Sequence, residues 1–223
     1  MSTDDRTREV YERTTDRYVE AIGTSISTDV ESSADIAALR AFADRCLGSP
    51  VLDAGCGPGR AGRVAIEAGK AVVGLDLAHS MVAVAWTNNG ALQGVQASVT
   101  HLPFADDAFG GLVAWYSIIH LAPERLPSVC ADFRRVLRAS TPLLVAFQAG
   151  DGREVVRENA HDSDTTLTSY QHDPEAVAAH LVGAGFVSVE VSVRPPEHSH
   201  ETTPQAIISA AVPTDRGGST TVH

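Results

Sequence analysis

The strongest chemical signal in the chain is the run Gly55-Cys56-Gly57-Pro58-Gly59, set between a short apolar segment, Val51–Ala54, and a helical pattern that opens at Arg60. Glycines at alternate positions let the backbone turn tightly and let a ligand approach the main chain closely. A helix starting there aims free N–H groups and a partial positive charge at that ligand. A dinucleotide loop has the spacing G-x-G-x-x-G. Here the spacing is G-x-G-x-G, Arg60 follows, and Gly62 does not restore the pattern. Asp53 stands just before the first glycine. Its carboxylate would repel a pyrophosphate and suits a cationic amino group, such as that of a methionine moiety. Asp76 follows the next apolar run, Ala71–Leu75. An acid at the tip of a second strand can accept both hydroxyls of a ribose; the plainer alternative is a cap on the following helix. Met81, a few residues on, offers an apolar cover for an adenine face.

A second group follows the apolar segment Gly111–Tyr116: Trp115, Tyr116 and His120. In open α/β sheets ligands lie outside the carboxyl ends of the strands, which is where these side chains fall. Imidazole titrates near neutrality, so His120 is the first candidate for a general base, with a packing role left open beside it. Tyr11 and Tyr18 share one face of an N-terminal helical pattern and either gate the pocket, touch a substrate or join the core. Tyr170 and His172 are further candidates for the pocket wall. His198 and His200 are a pair in a loop, and no residue cluster with metal-ligand spacing is visible.

These residues need elements to position them. Asp4–Ile22 and Ala34–Leu47 read as helices around a Ser/Thr-rich linker, Gly23–Ser33. From Val51 the pattern alternates: strands over Val51–Ala54, Ala71–Leu75, Ala91–Ala97, Gly111–Tyr116 and Leu143–Gln148, and helices over Arg60–Ala68, Ser80–Thr87 and Pro123–Arg138. This alternation predicts an α/β fold with a parallel sheet covered on both sides. Asp151–Tyr170 is polar and reads as a lid or a surface loop. A helix capped by Asp173 follows, then two strands, Phe186–Val193 and Gln205–Ala211, whose short connection requires antiparallel pairing. The division expected is an N-terminal helical cap over residues 1–47, one α/β domain over 48–213 and a disordered tail over 214–223.

Composition narrows the functions. The chain has 223 residues and a formal net charge of −11, which disfavours a nucleic-acid partner. It contains no apolar run long enough to span a membrane, and its first residues lack the pattern of a secretion signal, so the expected location is cytoplasmic. Cys46, Cys56 and Cys130 are odd in number and widely spaced, which argues against a disulfide framework or a cysteine zinc site.

In combination, Asp53–Gly59, Gly74-Leu-Asp-Leu77, His101–Phe109 and Ala184-Gly-Phe186 resemble the class I S-adenosylmethionine-dependent methyltransferases, in the small-molecule branch called methyltransferase domain 11 or 25. The resemblance covers roughly Val10 to Val212. It implies a Rossmann-like, seven-stranded, mostly parallel sheet of order 3-2-1-4-5-7-6 with the last strand antiparallel. It implies S-adenosyl-L-methionine as cofactor and S-adenosyl-L-homocysteine as product. Asp53, Gly55, Cys56 and Gly57 would surround the methionine part, Asp76 would hold the ribose, and Leu77 and Met81 would flank the adenine. Ser98 and Val99 stand where the family has Asp-Ala beside the adenine amino group; a hydroxyl is a weaker acceptor than a carboxylate. Gly110-Gly111 likewise replace Asp-Ala. Trp115 and Tyr116 would face the sulfonium, a cation that aromatic rings favour. The expected reaction is in-line methyl transfer to an oxygen or nitrogen of a small molecule, assisted by His120, Tyr18 or Tyr11. A catalytically weak or regulatory protein that keeps the same pocket is the alternative, and a homodimer is left open.

Overall fold

The structure, a computed structural model, describes residues 3–48, 50–160 and 164–214. The expected disordered tail lies, from residue 215 on, outside the described residues. The strands are β1 (Val51–Ala54), β2 (Val72–Asp76), β3 (Leu92–Gln96), β4 (Leu112–Trp115), β5 (Pro142–Gln148), β6 (Glu154–Arg157), β7 (Leu167–Tyr170), β8 (Val187–Arg194) and β9 (Gln205–Ala211). The helices are α1 (Thr3–Ile22), α2 (Ser33–Arg45), α3 (Arg60–Glu67), α4 (His79–Asn88), α5 (Leu126–Val136) and α6 (Pro174–Gly183).

Seven strands form one sheet in the order β3-β2-β1-β4-β5-β9-β8. The first five pair in parallel, and β9 runs antiparallel to both β5 and β8. This is the Rossmann-like methyltransferase arrangement expected from the sequence. Every residue of β1 and β4 is buried, as their unbroken apolar runs require of strands covered on both faces. Alternate residues feed two cores. Leu52, Leu112 and Ala114 pack with Leu126, Phe133 and Leu181 of α5 and α6. Val51, Val113 and Trp115 pack with Leu39, Phe42, Ala61 and Ala85 of α2, α3 and α4.

Two local features differ from the sequence-based expectation. The polar stretch Asp151–Tyr170 is neither a bare loop nor a simple lid: β6 and β7 pair antiparallel as a hairpin, with Arg157 opposite Leu167 and Val155 opposite Ser169. The helix expected from Pro123 begins as a 3-10 turn, Pro123–Arg125, and becomes α-helical only at Leu126. Gly110 and Gly111 are required by packing, since a Cβ on Gly110 would lie 2.1 Å from the Leu47 carbonyl oxygen. An Asp-Ala pair has no room there.

Helix α1 lies along the carboxyl ends of the parallel strands and is tied to them by polar contacts. The Glu12 carboxylate accepts the N–H groups of His79 (2.5 Å) and Ser80 (3.1 Å), the first turn of α4. The N-cap residue of α4 is Ala78, which has no capping side chain, so Glu12 supplies the missing cap from another helix. Arg125 donates to Asp4 at 2.5 Å, and Thr15 and Ser80 share a hydroxyl hydrogen bond of 2.7 Å.

Candidate active site

Beneath α1 lies a cavity that opens to solvent and encloses about 710 Å³ of space, the solvent-filled mouth included. Its walls come from the turns after β1, β2, β3 and β4: Gly55 and Gly57, Asp76 and Leu77, Ser98 and Val99, Trp115 and Tyr116. Met81 of α4 adds an apolar wall, and α1 closes the roof with Asp4, Thr7, Tyr11 and Tyr18. Gly55 has φ +77° and sits so close to Ser117 that a Cβ would approach the Ser117 Cβ to 2.2 Å, so glycine is obligatory there. The Asp76 carboxylate accepts the Gly57 N–H (2.9 Å) and the Ala78 N–H (2.9 Å), which locks it at the rim of the glycine turn. Burial raises Asp76 above its ordinary carboxylate range, opposed by these N–H bonds.

Asp53 is fully buried. One carboxylate oxygen accepts the Gly62 N–H at 2.7 Å, and the other has no partner. Burial pushes its pKa up to about 7, reinforced by the nearby Asp76 charge and opposed by the Gly62 bond. A buried acceptor without a partner is costly in isolation, so Oδ1 is a place for a donor from a ligand. Ser117 Oγ is a second buried polar atom without a partner. A nucleoside with a cationic amino acid tail matches this set: a carboxylate for the diol, Leu77 and Met81 for the base, and Asp53 for the ammonium.

A second cavity of about 1140 Å³ opens beyond the first. The two share Tyr11, Tyr18, Gly55, Gly57, Trp115, Tyr116 and His120. Asp53, Cys56, Glu31, Arg60 and Gln148 line only the second, together with the hairpin residues Arg157, Leu167 and Ser169 and the loop residue His200. Tyr116 holds a positive φ of 55° at the end of β4, a costly backbone conformation for a bulky residue, and it stacks edge-on against Trp115 at 5.6 Å.

At the junction, the Tyr11 hydroxyl and His120 Nε2 are 2.8 Å apart, and His120 Nδ1 is 2.8 Å from the Thr168 carbonyl oxygen. A carbonyl only accepts, so Nδ1 carries a proton. In the neutral ring Nε2 is then the acceptor and the Tyr11 hydroxyl donates to it. Tyr18 meets the Tyr11 ring edge-on at 5.6 Å. Burial raises Tyr18 to about 12 and Tyr11 well above its ordinary value, so both phenols are neutral at physiological pH. Burial likewise keeps the Cys56 thiol protonated.

The structure therefore brings together every cofactor and transfer candidate singled out in the sequence. Two wall candidates fall elsewhere. His172 is buried beyond the end of β7, with Nε2 3.0 Å from the Ile118 carbonyl oxygen, and Tyr170 donates to Glu154 at 3.2 Å; neither lines either cavity. Sequence reading missed Asp4, Glu31, Arg60 and Arg157. Ser98 donates to Asp4 at 3.1 Å, which sets a carboxylate beside the Ser98–Val99 wall of the pocket. Arg60 and Glu31 form a buried ion pair at 2.6 Å. Among the described residues no group of three or more His, Cys, Asp or Glu is placed to hold a metal ion.

Residues 51–140 match the family model of the methyltransferase domain. Malonyl-[acyl-carrier protein] O-methyltransferase of Pseudescherichia vulneris is 36% identical over 134 residues, 60% of this chain and 53% of that protein. Magnesium protoporphyrin IX methyltransferase of Synechocystis PCC 6803, solved with bound S-adenosylmethionine, superposes with a TM-score of 0.70 at 17% identity, covering 95% of this chain and 98% of that one. The chain has the fold of the S-adenosylmethionine-dependent methyltransferases, and the family match covers its residues 51–140. It spans about half the length of the curated relatives it matches. Within this methyltransferase fold chemistry varies: the [4+2]-cyclase SpnF superposes equally well, with a TM-score of 0.70 at 17% identity over 96% of this chain and 98% of that one. The fold alone therefore does not fix the reaction. Among the described residues, no helix is long and apolar enough to cross a membrane.

Proposed function

We propose that this methyltransferase moves the methyl group of S-adenosylmethionine to an oxygen or nitrogen of a small-molecule acceptor. The observation that carries the reading is the meeting of two cavities at the Tyr11–His120 pair. Bound there, the cofactor would supply a methyl group on a sulfonium, which an acceptor atom in line with the C–S bond would take with release of the thioether. Asp53 would take its ammonium group, Gly55 and Gly57 the methionine backbone, Asp76 the ribose, and Leu77, Met81, Ser98 and Val99 the adenine. Trp115 and Tyr116 turn ring surface toward the cationic centre. The acceptor enters from the second cavity. Its proton passes to the Tyr11 oxygen as Tyr11 hands its own proton to His120 Nε2, whose ring is held by Thr168. Neutral Tyr11 suits this relay, since a free phenolate is not required. The O-methyltransferase name of the relative supports oxygen as the receiving atom.

Calorimetry with S-adenosylhomocysteine and release of labelled methyl from S-adenosylmethionine test the reading. Tyr11→Phe and His120→Gln each lower kcat by about 100-fold, the scale of a lost general base, while the affinity for S-adenosylhomocysteine stays within about threefold. Absence of cofactor binding at millimolar concentration sinks the proposal. The cyclase neighbour motivates a second reading, in which bound cofactor only shapes the pocket. It predicts acceptor conversion without formation of S-adenosylhomocysteine.

A further inference from the structure

The second cavity has an uneven charge balance. Its carboxylates are Glu31, Asp53 and Glu201, and its guanidinium groups are Arg60 and Arg157. Glu31 is paired with Arg60 at 2.6 Å, and Glu201 with Arg194 at 2.5 Å. Asp53 is committed to the cofactor's ammonium in the reading above. Arg157 is left as the one arginine of this wall with no ion pair or hydrogen bond among the described residues. Its direction is set by strand register: Leu167 and Ser169 face the cavity, and their cross-strand partners Arg157 and Val155 share that face. The Arg157 charge reaches the transfer point, where it counters the effects of burial and of Tyr18 and Asp76 on the Tyr11 phenol. A second observation is independent. The Gln148 amide oxygen, on the same cavity at the end of β5, is buried and has no hydrogen-bond partner. Such an atom calls for a donor from a ligand.

We infer that the acceptor is an anion whose carboxylate or phosphate group is gripped by Arg157, with a hydrogen-bond donor of the same molecule on Gln148. This rests on the methyl-transfer reading and names the substrate class of that site. The guanidinium fork fits either oxyanion in a two-point hydrogen bond. In a chain of net charge −11, an exposed cation on the cavity wall, with no ion-pair partner among the described residues, offsets the repulsion an anionic acceptor meets outside. The β6–β7 hairpin is thus a specificity element, carrying the anion anchor to the cavity while its other strand holds His120 through Thr168.

The test uses the full chain saturated with S-adenosylhomocysteine, and three probes of similar shape: phenylacetate, phenyl phosphate and neutral phenylacetamide. Binding is followed by calorimetry or ligand-observed NMR. At least one anionic probe should bind about tenfold tighter than the amide, and which one does assigns the oxyanion. Arg157→Ala should abolish that preference, and Arg157→Lys should restore part of it, with affinity for S-adenosylhomocysteine unchanged in both. Equal binding of all three probes, no binding of any, or an anion preference that survives Arg157→Ala overturns the inference. Failure of S-adenosylhomocysteine itself to bind would instead strike the methyl-transfer reading.

Discussion

At the scale of single residues, Asp53 is the group whose environment says most about function. Burial holds its pKa at about 7, so the empty pocket prefers it protonated. A carboxyl raised in this way favours the fold below its ordinary pKa, near pH 4, and that contribution is lost as pH rises toward 7. Cofactor binding has the opposite sign, because the ammonium partner needs the ionised carboxylate. Affinity for S-adenosylhomocysteine should therefore rise by up to about tenfold per pH unit from pH 5.5 to 7 and flatten above. Asp53→Asn should flatten the profile, weaken binding by about 10- to 100-fold through loss of a charge-assisted bond, and raise the melting temperature of the cofactor-free protein at pH 8. Calorimetry across pH checks both, and an unchanged slope in Asp53→Asn defeats the assignment. Asp53, Asp76 and the glycines were legible in the sequence because each belongs to one contiguous strand-turn-helix unit. Asp4 and Arg157 were not, since each reaches the site only through folding of a remote segment: Asp4 by a contact across α1 to Ser98, Arg157 by hairpin register.

Among the elements, α1 closes the first cavity, held by polar contacts and by one small apolar cluster of Val10 with Ala160 and Leu167. Glu12 both anchors α1 and caps α4, so its removal leaves the first N–H groups of α4 without their acceptor. Glu12→Ala should cost about 1 kcal/mol, the scale of a lost helix cap. The loss should appear as opening of α1 rather than as global unfolding. Limited proteolysis would show it: cleavage within Thr3–Ile22 should speed up about fivefold, consistent with that energy, and saturating S-adenosylhomocysteine should suppress the increase. Cleavage at the wild-type rate would show that the cap does not hold the roof. The same polar character explains what the sequence could not show of the elements. The parallel strands are unbroken apolar runs and could be read directly. Strands β6 and β7 are four residues each, lie under α1 on one face and expose Val156 on the other, so alternation over Asp151–Tyr170 is too weak to separate a hairpin from a loop.

Across the whole molecule the question is whether the N-terminal helical cap expected over residues 1–47 is separable. Two buried ion networks argue for one cooperative body. Glu31, before α2, pairs with Arg60 of α3. Asp35 of α2 shares Arg194 of β8 with Glu201, with contacts of 2.6 Å and 2.5 Å. Asp35 and Glu201 side chains are only 4% and 5% exposed, so Arg194 neutralises two carboxylates that water barely reaches. The Glu201 carboxyl is held at about 2: burial acts against it, while the Arg194 hydrogen bond and the N–H groups of Glu197 and His198 prevail. Removing one partner of a buried charge network costs about 3–5 kcal/mol, because the remaining charges are stranded. Arg194→Ala should therefore lower the melting temperature by on the order of 10 °C for a chain of this size. The deficit should shrink below pH 5, where Glu201 of the variant, no longer held ionised by Arg194, can be neutralised by protonation. Calorimetry should show a single transition in both proteins. A second, low-temperature transition in Arg194→Ala confined to the N-terminal helices would mean that they are a cap in the thermodynamic sense, and that the networks fasten two bodies.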